Sequence, residues 1–243
     1  MNVNGSVALV TGANRGIGRS IADELLARGA EKVYAAVRDV NSVTDGRLVA
    51  VELDVTDAAQ VAAVAARLDD VEIVVNNAGI AHPASPLAAS LQSARDELEV
   101  NYLGLISTTQ AFAPVLAANG GGAFVNVLSV VSWVGMPSLA TYSASKSAAW
   151  GWTNAARVEL KRQGTQVVGV HVGFVDTDLT AGMDAEKIAP SQVAIAALDA
   201  LEQGAEEALV DEFSQTIKAA LHDDLHLIYP TVEAQFNAAP AVR

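Results

Sequence analysis

The chain contains no cysteine, which excludes disulfide bonds, thiolate metal ligands and cysteine nucleophiles, and we expect no metal site. Basic residues are also few, because 15 lysines and arginines stand against 28 aspartates and glutamates, for a formal net charge of −13. This excess of negative charge argues against nucleic acid or an anionic lipid surface as the main partner. No apolar run approaches the roughly 18 residues of a membrane-spanning helix, so we expect no membrane contact.

A secretory signal is another feature that the sequence lacks. Residues 1–6 are polar and lead directly into a short apolar run, without the basic region and cleavage site of a signal peptide. We therefore expect a cytoplasmic protein. What the chain has in quantity is apolar side chains, which make up 51% of its 243 residues and suffice for one large core.

Short apolar runs alternate along the chain with longer segments of helical periodicity. The apolar runs are 6–11, 32–37, 48–53, 72–75, 123–129 and 166–172, and the helical segments are 16–28, 56–68, 90–118, 141–162 and 190–201. Continuous apolar runs suit strands that are covered on both faces, and this alternation is typical of a parallel, doubly wound sheet. We therefore predict a single α/β domain over residues 1–221, in which 206–210 is a short candidate strand and 213–221 a helix. A tail over 222–243 follows.

A glycine-rich turn, with Gly12, Gly16 and Gly18, joins the first predicted strand to the first helix. Glycine permits close approach of the backbone, and a helix N-terminus presents free N–H groups to a phosphate. We interpret the segment as a dinucleotide-binding turn, which makes the sheet Rossmann-type. Its spacing, G-x-x-x-G-x-G, differs from the G-x-G-x-x-G fingerprint, so a turn that only packs the helix on the sheet is the alternative.

Tyr142 and Lys146 lie four positions apart in a predicted helix and therefore share one of its faces. A tyrosine at its usual pKa of about 10 exchanges protons poorly at neutral pH, and a nearby positive charge lowers that pKa. The pair is a candidate acid/base device. The same spacing also occurs where a half-buried tyrosine and a solvated lysine have no chemical role.

Four motifs in register resemble the short-chain dehydrogenase/reductase family. They are the glycine turn, Asn76-Asn77-Ala78-Gly79 after the fourth strand, Ser129 at the end of the fifth, and Tyr142-x-x-x-Lys146 thirteen residues later. The resemblance runs from about residue 7 to about residue 179. It implies an oxidoreductase that moves a hydride between a nicotinamide dinucleotide and a carbonyl or alcohol, and it implies a homodimer or homotetramer.

The resemblance also implies catalytic roles for Asn101, Ser129, Tyr142 and Lys146. Tyr142 would give a proton to the carbonyl oxygen or take one from the alcohol, and Lys146 would hold the cofactor ribose and lower the Tyr142 pKa. Ser129 would hydrogen-bond the substrate oxygen, with Ser132 as a lower-ranked rival. Asn101 would bend its helix and hold a water that passes protons to Lys146.

Cofactor contacts are implied in the turns that follow the strands. They are Gly12, Asn14, Arg15, Gly16, Ile17 and Gly18 at the pyrophosphate, Asp54 and Val55 at the adenine, Asn76, Asn77, Ala78 and Gly79 near the ribose together with Tyr142 and Lys146, and Gly173, Val175 and Thr177 at the nicotinamide. The last of these turns departs from the family pattern, because Val172 stands where proline is usual. We interpret His171, at the end of a buried strand, as structural.

Two arginines predict NADP(H) as the cofactor, with NAD(H) the less favoured alternative. An NAD-preferring site needs an acidic residue at the end of the second strand, whereas that strand ends in Val37 and is followed by Arg38. Arg15 lies in the phosphate turn, and a guanidinium suits phosphate oxygens. Asp39 is the counter-evidence, because a shift of one residue would bring its carboxylate toward the ribose.

The segments that should border the nicotinamide are mainly apolar. They are 130–140, with Val131, Trp133, Val134, Met136 and Leu139, and the loop 178–189, in which Lys187 is the only basic residue. We therefore predict a neutral, mainly apolar ketone or aldehyde, or the matching secondary alcohol, as substrate. Two alternative functions are a regulatory NAD(P)-binding protein without turnover and an epimerase or dehydratase, which would need a longer C-terminal substrate domain.

Overall fold

A parallel sheet forms the centre of the protein, for which a computed structural model describes residues 1–223 and 229–230. The described residues form seven strands in the order β3-β2-β1-β4-β5-β6-β7. The strands are β1 (Val7–Thr11), β2 (Lys32–Val37), β3 (Val49–Glu52), β4 (Ile73–Asn76), β5 (Gly122–Val127), β6 (Thr165–His171) and β7 (Glu207–Leu209). The predicted doubly wound α/β fold is confirmed. The predicted tail 222–243 lies mostly outside the described residues, and the boundary at 221 stays a prediction.

Helices cover both faces of the sheet, as the alternation predicts. The helices are α1 (Gly16–Ala27), α2 (Ala58–Arg67), α3 (Leu91–Leu98), α4 (Gly104–Ala118), α5 (Ala140–Leu160), α6 (Pro190–Gln203) and α7 (Glu212–Ala220). Apolar side chains of α1 and α6 form one core with the sheet, and those of α2, α4 and α5 form a second core on the other face. No helix within the described ranges is long and apolar enough to cross a lipid bilayer.

The predicted helix 90–118 is divided by a π-helical turn, Glu99–Leu103, between α3 and α4. Asn101 lies in this turn, so the helix departs from α-helical geometry at the residue where a bend was predicted. A π-helical turn adds one residue to the helical repeat and often marks a functional site. Gly104 follows it, and a Cβ there would lie 2.7 Å from the Val55 side chain, so the start of α4 packs tightly against the segment that follows β3.

The strand order reverses between β1 and β4, which lie side by side although β2 and β3 follow β1 in the chain. In open parallel sheets a crevice forms beyond the carboxyl ends of the strands at such a point. The turn from β1 into α1 opens there, and Gly12 and Gly16 adopt φ angles of 67° and 56°. Both angles lie in the left-handed region that favours glycine.

Candidate active site

A cleft opens at the carboxyl ends of the strands, where the strand order reverses. Its walls include most of the residues predicted to bind the cofactor, namely Gly12, Asn14, Arg15, Gly16, Ile17, Arg38, Asp54, Val55, Asn77, Ala78, Gly79, Tyr142, Lys146, Gly173, Val175 and Thr177. Ser129 also lines it. The predicted cofactor contacts Gly18 and Asn76 and the predicted catalytic residue Asn101 are not among the lining residues.

Gly18 and Asn76 do not face the cleft but pack within the elements that form it. A Cβ at Gly18 would lie 2.3 Å from the carbonyl oxygen of Gly12, so glycine is required for the close contact between helix and turn. Asn76 is buried and donates to Asn126 Oδ1 at 2.8 Å. The prediction that Asn76 lines the ribose is therefore wrong, because its side chain bonds within the sheet.

Thr11, which directly precedes Gly12 of the glycine-rich turn and for which no role was predicted, fixes the two turns that form the cleft floor. Its Oγ1 accepts hydrogen bonds from the N–H groups of Asn77 (2.9 Å) and Ala78 (3.0 Å). Asn77 Nδ2 returns a bond to the carbonyl oxygen of Thr11 at 2.9 Å. The turn after β1 and the turn after β4 are thus tied together. A threonine at a strand end carries no sequence signal for such a role.

The N-terminus of α1 fits a pyrophosphate. Among the described residues no side chain caps the helix, whose N-cap is Arg15. Its first N–H groups and the positive end of the helix dipole therefore remain available to an anion. Gly16 leaves little room for a side chain, because a Cβ there would lie 3.2 Å from Thr177 Cγ2. A dinucleotide phosphate thus meets backbone donors at a close approach.

Charged side chains surround the adenine end of the cleft. Arg38 is exposed on the wall, and its charge helps to lower the pKa of Asp54, after the larger effect of the hydrogen bonds from Thr56. The Asp39 carboxylate accepts from the backbone and side-chain nitrogens of Asn41, each at 3.0 Å. Because Asp39 is engaged in its own turn, the main evidence for NAD(H) is weakened.

Arg15 forms an ion pair with Asp178 across the mouth of the cleft. Both side chains are largely exposed, and exposed pairs contribute at most about 1 kcal/mol. Asp178 therefore competes weakly with any phosphate for Arg15. This pair was not predictable from the sequence, because its residues lie 163 positions apart.

Tyr142 is half-buried in the cleft wall and packs against an apolar cluster that includes Val131 and Met136. Burial is the main cause that raises the pKa of its phenol, the charge of Glu97 raises it further, and the Ser129 hydroxyl lowers it. The predicted lowering of the Tyr142 pKa by Lys146 is therefore wrong in direction. A tyrosine with a raised pKa carries its proton at neutral pH and is at the same time a weaker acid.

Lys146 lies beside the tyrosine in a buried position. Its Nζ donates to the carbonyl oxygen of Val127 at 2.9 Å and lies 5.7 Å from the centroid of the Tyr142 ring. Only 5% of the residue is exposed, and burial lowers the pKa of the ammonium group to about 8. Lys146 therefore stays mostly charged at pH 7, and burial is nevertheless the largest effect on the pKa of Tyr142.

Asn101 binds the chain segment beside the lysine. Its Oδ1 accepts from Ile80 N, and its Nδ2 donates to Ile80 O and to Ser145 Oγ, all at 2.9 Å. Ser145 in turn donates to the carbonyl oxygen of Tyr142 at 2.7 Å. Asn101 therefore joins the loop after β4 to the helix that carries Tyr142 and Lys146. The water that we expect it to hold stays a prediction.

Glu97 is a buried acid near the active site that was not among the predicted site residues. It is fully buried, its Oε1 accepts from His82 N at 2.6 Å, and its Oε2 has no partner in the described part of the chain. It lies in α3, four residues before Asn101, and its charge acts on Tyr142. An acid inside a helical pattern normally indicates a solvated face, so the burial of Glu97 was not predictable from its position in the sequence.

Ser129 rather than Ser132 faces the cleft. The Ser129 hydroxyl donates to the carbonyl oxygen of Val172 at 3.3 Å, whereas the Ser132 hydroxyl accepts from Ser129 N at 3.3 Å. His171 is buried behind them, stacked on Trp133 with ring centroids 3.9 Å apart. Its Nδ1 lies 3.3 Å from the carbonyl oxygen of Ser129, which agrees with a structural role for His171.

A smaller apolar pocket adjoins Ser129 and Tyr142. It is lined by Ser129, Val130, Val131, Met136, Leu139, Tyr142, Gly173, Phe174, Leu179, Thr180 and Met183. Val131, Met136 and Leu139 were predicted there. Trp133 instead stacks on His171, and Val134 is buried in the apolar cluster below. Leu179, Thr180 and Met183 come from the predicted loop 178–189, whereas Phe174 lies outside both predicted segments.

These features define an enzyme class. The family model of the short chain dehydrogenases matches residues 6–188, and the chain belongs to that family. The match covers the phosphate turn, Asn101, Ser129 and the Tyr142–Lys146 pair. An oxidoreductase on a Rossmann-type fold is therefore confirmed, and with it a nicotinamide dinucleotide as the class of cofactor.

Known relatives span most of the chain. A solved short chain dehydrogenase from Burkholderia cenocepacia, in complex with NADP, is 41% identical, with a TM-score of 0.91 and coverage of 96% of this chain and 99% of that one. A 3-oxoacyl-[acyl-carrier-protein] reductase of Synechocystis is 33% identical over 196 residues, which are 75% of this chain and 79% of the relative. The enzyme of the same name from Vibrio cholerae is 33% identical over 198 residues, or 77% and 80%.

Proposed function

We propose that the protein is an NADP(H)-dependent carbonyl reductase or alcohol dehydrogenase acting on neutral, mainly apolar ketones, aldehydes or secondary alcohols. The observation that carries this proposal is that Ser129, Tyr142 and Lys146 line the same cleft as the phosphate turn. An apolar pocket meets the cleft at Ser129 and Tyr142. The groups proposed for proton transfer therefore lie next to the site proposed for the dinucleotide.

Each polar side chain has one task in this proposal. When bound, the nicotinamide ring supplies or accepts the hydride. The Tyr142 hydroxyl gives its proton to the carbonyl oxygen in reduction and takes one from the alcohol in oxidation. The Ser129 hydroxyl donates a hydrogen bond to the same oxygen, and Lys146 binds the ribose hydroxyls. The raised pKa of Tyr142 keeps its phenol protonated at neutral pH, so the proton is present when a carbonyl substrate binds.

A second candidate function is the reduction of 3-oxoacyl thioesters, which the names of the Synechocystis and Vibrio relatives favour. A 3-oxoacyl group is itself a neutral ketone and is compatible with the apolar pocket. The two candidates differ in whether the thioester portion contributes to binding. The third reading, a regulatory protein without turnover, has no support from the cleft, where the groups needed for turnover lie together.

A substrate screen tests the function. Consumption of NADPH and of NADH would be followed with neutral ketones and aldehydes, keto acids, sugar phosphates and a 3-oxoacyl thioester of a small thiol. We expect the highest kcat/KM with a neutral carbonyl. A higher value for a keto acid or a sugar phosphate would contradict the proposal, a thioester preference would favour the second candidate, and binding without turnover of any carbonyl would indicate a regulatory protein.

The choice of NADP(H) depends on Arg38, and Arg38→Ala should lower kcat/KM for NADPH by about tenfold. Hydrogen bonds to a charged group contribute roughly 1.5–3 kcal/mol, and the exposure of Arg38 places the effect near the lower limit. The value for NADH should not change, because NADH has no 2′-phosphate. Arg95→Ala, on the exposed surface of α3, is the matched control. A wild type that prefers NADH would overturn this assignment.

We also propose a homodimer formed through the helices α4 and α5, the minimum state expected from the sequence. Leu98, Leu103 and Val158, on or beside these helices, are exposed, and Trp150 and Trp152 are only partly buried. A second copy would remove this apolar surface from water. A single 25.1 kDa species in light scattering at micromolar concentration would contradict the dimer.

The cytoplasmic location of the protein stays a prediction.

A further inference from the structure

One carboxylate connects the C-terminal helix to the nicotinamide side of the cleft. Asp211 follows β7 and is the N-cap of α7, where its Oδ1 accepts from Ser214 N at 2.7 Å. Its second oxygen, Oδ2, accepts from the backbone N–H of Gly173 at 2.6 Å. Capping a helix needs only one acceptor, so the second bond calls for a separate explanation.

Gly173 lies where the cofactor cleft and the apolar pocket meet, and it lines both. The C-terminal segment packs closely against it, since a Cβ at Gly173 would lie 3.0 Å from Asp211 Oδ2 and 3.2 Å from Phe213. Val175 and Thr177, the other expected nicotinamide contacts, follow within four residues. The position of Gly173 therefore influences the whole nicotinamide end of the cleft.

The turn at Gly173 lacks the constraint that a proline would give. Proline fixes φ near −65°, whereas Val172 leaves that angle free. The carbonyl oxygen of Val172 accepts from Val130 N at 3.0 Å and from the Ser129 hydroxyl at 3.3 Å. In the proposed mechanism that hydroxyl donates to the substrate oxygen, so its bond to the turn is lost during reaction. The bond from Gly173 to Asp211 is independent of this exchange.

We propose that Asp211 is a positioning residue, which holds the Gly173 turn in place for the nicotinamide end of the cofactor and takes the part of the usual proline. This inference rests on the proposed function, because it assumes that the cleft binds NADP(H). The carboxylate acts through the backbone of Gly173 and needs no contact with substrate. Its loss should therefore impair cofactor binding and turnover more than the binding of the carbonyl substrate.

Asp211→Ser separates the two bonds. Serine is a good N-cap and can still accept from Ser214 N, but its single, shorter hydroxyl cannot also serve Gly173. We expect the dissociation constant for NADPH, measured by fluorescence at 20 °C, to rise about tenfold. We expect kcat to fall by about ten- to a hundredfold, since a displacement of about 1 Å can cost that much, while KM for the carbonyl changes little.

The control is Ser90→Ala, which removes the N-cap of α3 at an exposed site. It should lower the melting temperature by roughly 2–4 °C and leave NADPH binding unchanged. If Asp211→Ser does not fold, Asp211→Asn replaces it, because asparagine keeps the size but offers only one acceptor. Adding Val172→Pro to Asp211→Ser should restore part of the affinity, as proline fixes the turn again.

The outcomes are distinct. Unchanged NADPH affinity in a folded Asp211 variant would overturn the inference and leave the proposed function intact. A wild type that binds no NADPH would overturn both. A tenfold weaker affinity in Asp211→Ser, with Ser90→Ala equal to the wild type, supports the positioning role, because the loss of a helix cap alone does not produce it.

Discussion

Tyr142→Phe should reduce turnover by about two to three orders of magnitude and leave NADPH binding intact. The variant keeps the ring that packs with Val131 and Met136 and removes only the proton that the carbonyl oxygen needs. The effect should appear in kcat, with little change in the KM for either substrate, because the missing interaction is one of the transition state. Steady-state kinetics with the best carbonyl of the screen would measure it.

Tyr34→Phe is the matched control. Tyr34 is buried in β2, and its hydroxyl bonds to Asp70 away from the cleft. This variant loses a hydroxyl of the same kind and should keep the turnover of the wild type. Near wild-type activity in Tyr142→Phe would show that another group delivers the proton.

Lys146→Met should make the protein more stable at neutral pH while removing most of its activity. Burial lowers the pKa of Lys146 from 10.5 to about 8, which corresponds to a destabilisation of roughly 3 kcal/mol when the group is charged. Methionine carries no charge, and the lost hydrogen bond to Val127 O offsets about 1 kcal/mol. We expect a melting temperature roughly 4–8 °C above the wild type at pH 7 and a turnover at least about 10²-fold lower.

The pH dependence of this difference tests its cause. Below pH 8 the lysine is charged in the folded and unfolded states, so the cost of burying the charge is fully present. Between pH 8 and 10.5 the folded state loses the proton first, and the contribution of this group to stability rises with pH. The advantage of Lys146→Met should therefore shrink over that interval. Lys161→Met, at an exposed position, should show no such trend. A variant less stable than the wild type at pH 7 would contradict the argument.

The fold was predictable because apolar runs typical of buried strands alternate along the chain with segments of helical periodicity. The predicted strand 32–37 has the same bounds as β2, because its continuous apolar residues suit a strand covered on both faces. The helix predicted over 90–118 is right in extent. Its π-helical turn lies at Asn101, where the family resemblance, and not the periodicity, predicted a bend. Asn101 forms three side-chain hydrogen bonds to Ile80 and Ser145, and these long-range contacts accompany the local departure from an α-helix.

The site was predictable where a residue type is tied to a backbone shape or to a fixed spacing. The phosphate turn and the Tyr142–Lys146 pair belong to this kind. Interactions between distant segments were not predictable, as with the pairing of Arg15 with Asp178 and the bond from Gly173 to Asp211. The direction of the Tyr142 pKa was also missed, because spacing along a helix gives the distance to a charge but not the extent of burial.

The apolar pocket beside Ser129 has a consequence for how such an enzyme acquires new substrates. Apart from Ser129 and Tyr142, its wall consists of side chains such as Met136, Phe174 and Met183, which have no part in proton transfer. Exchanges at these positions would alter the shape offered to a substrate and leave the chemical step untouched. New substrate preferences can therefore arise through changes in this pocket, while the residues that transfer the proton and bind the coenzyme stay the same.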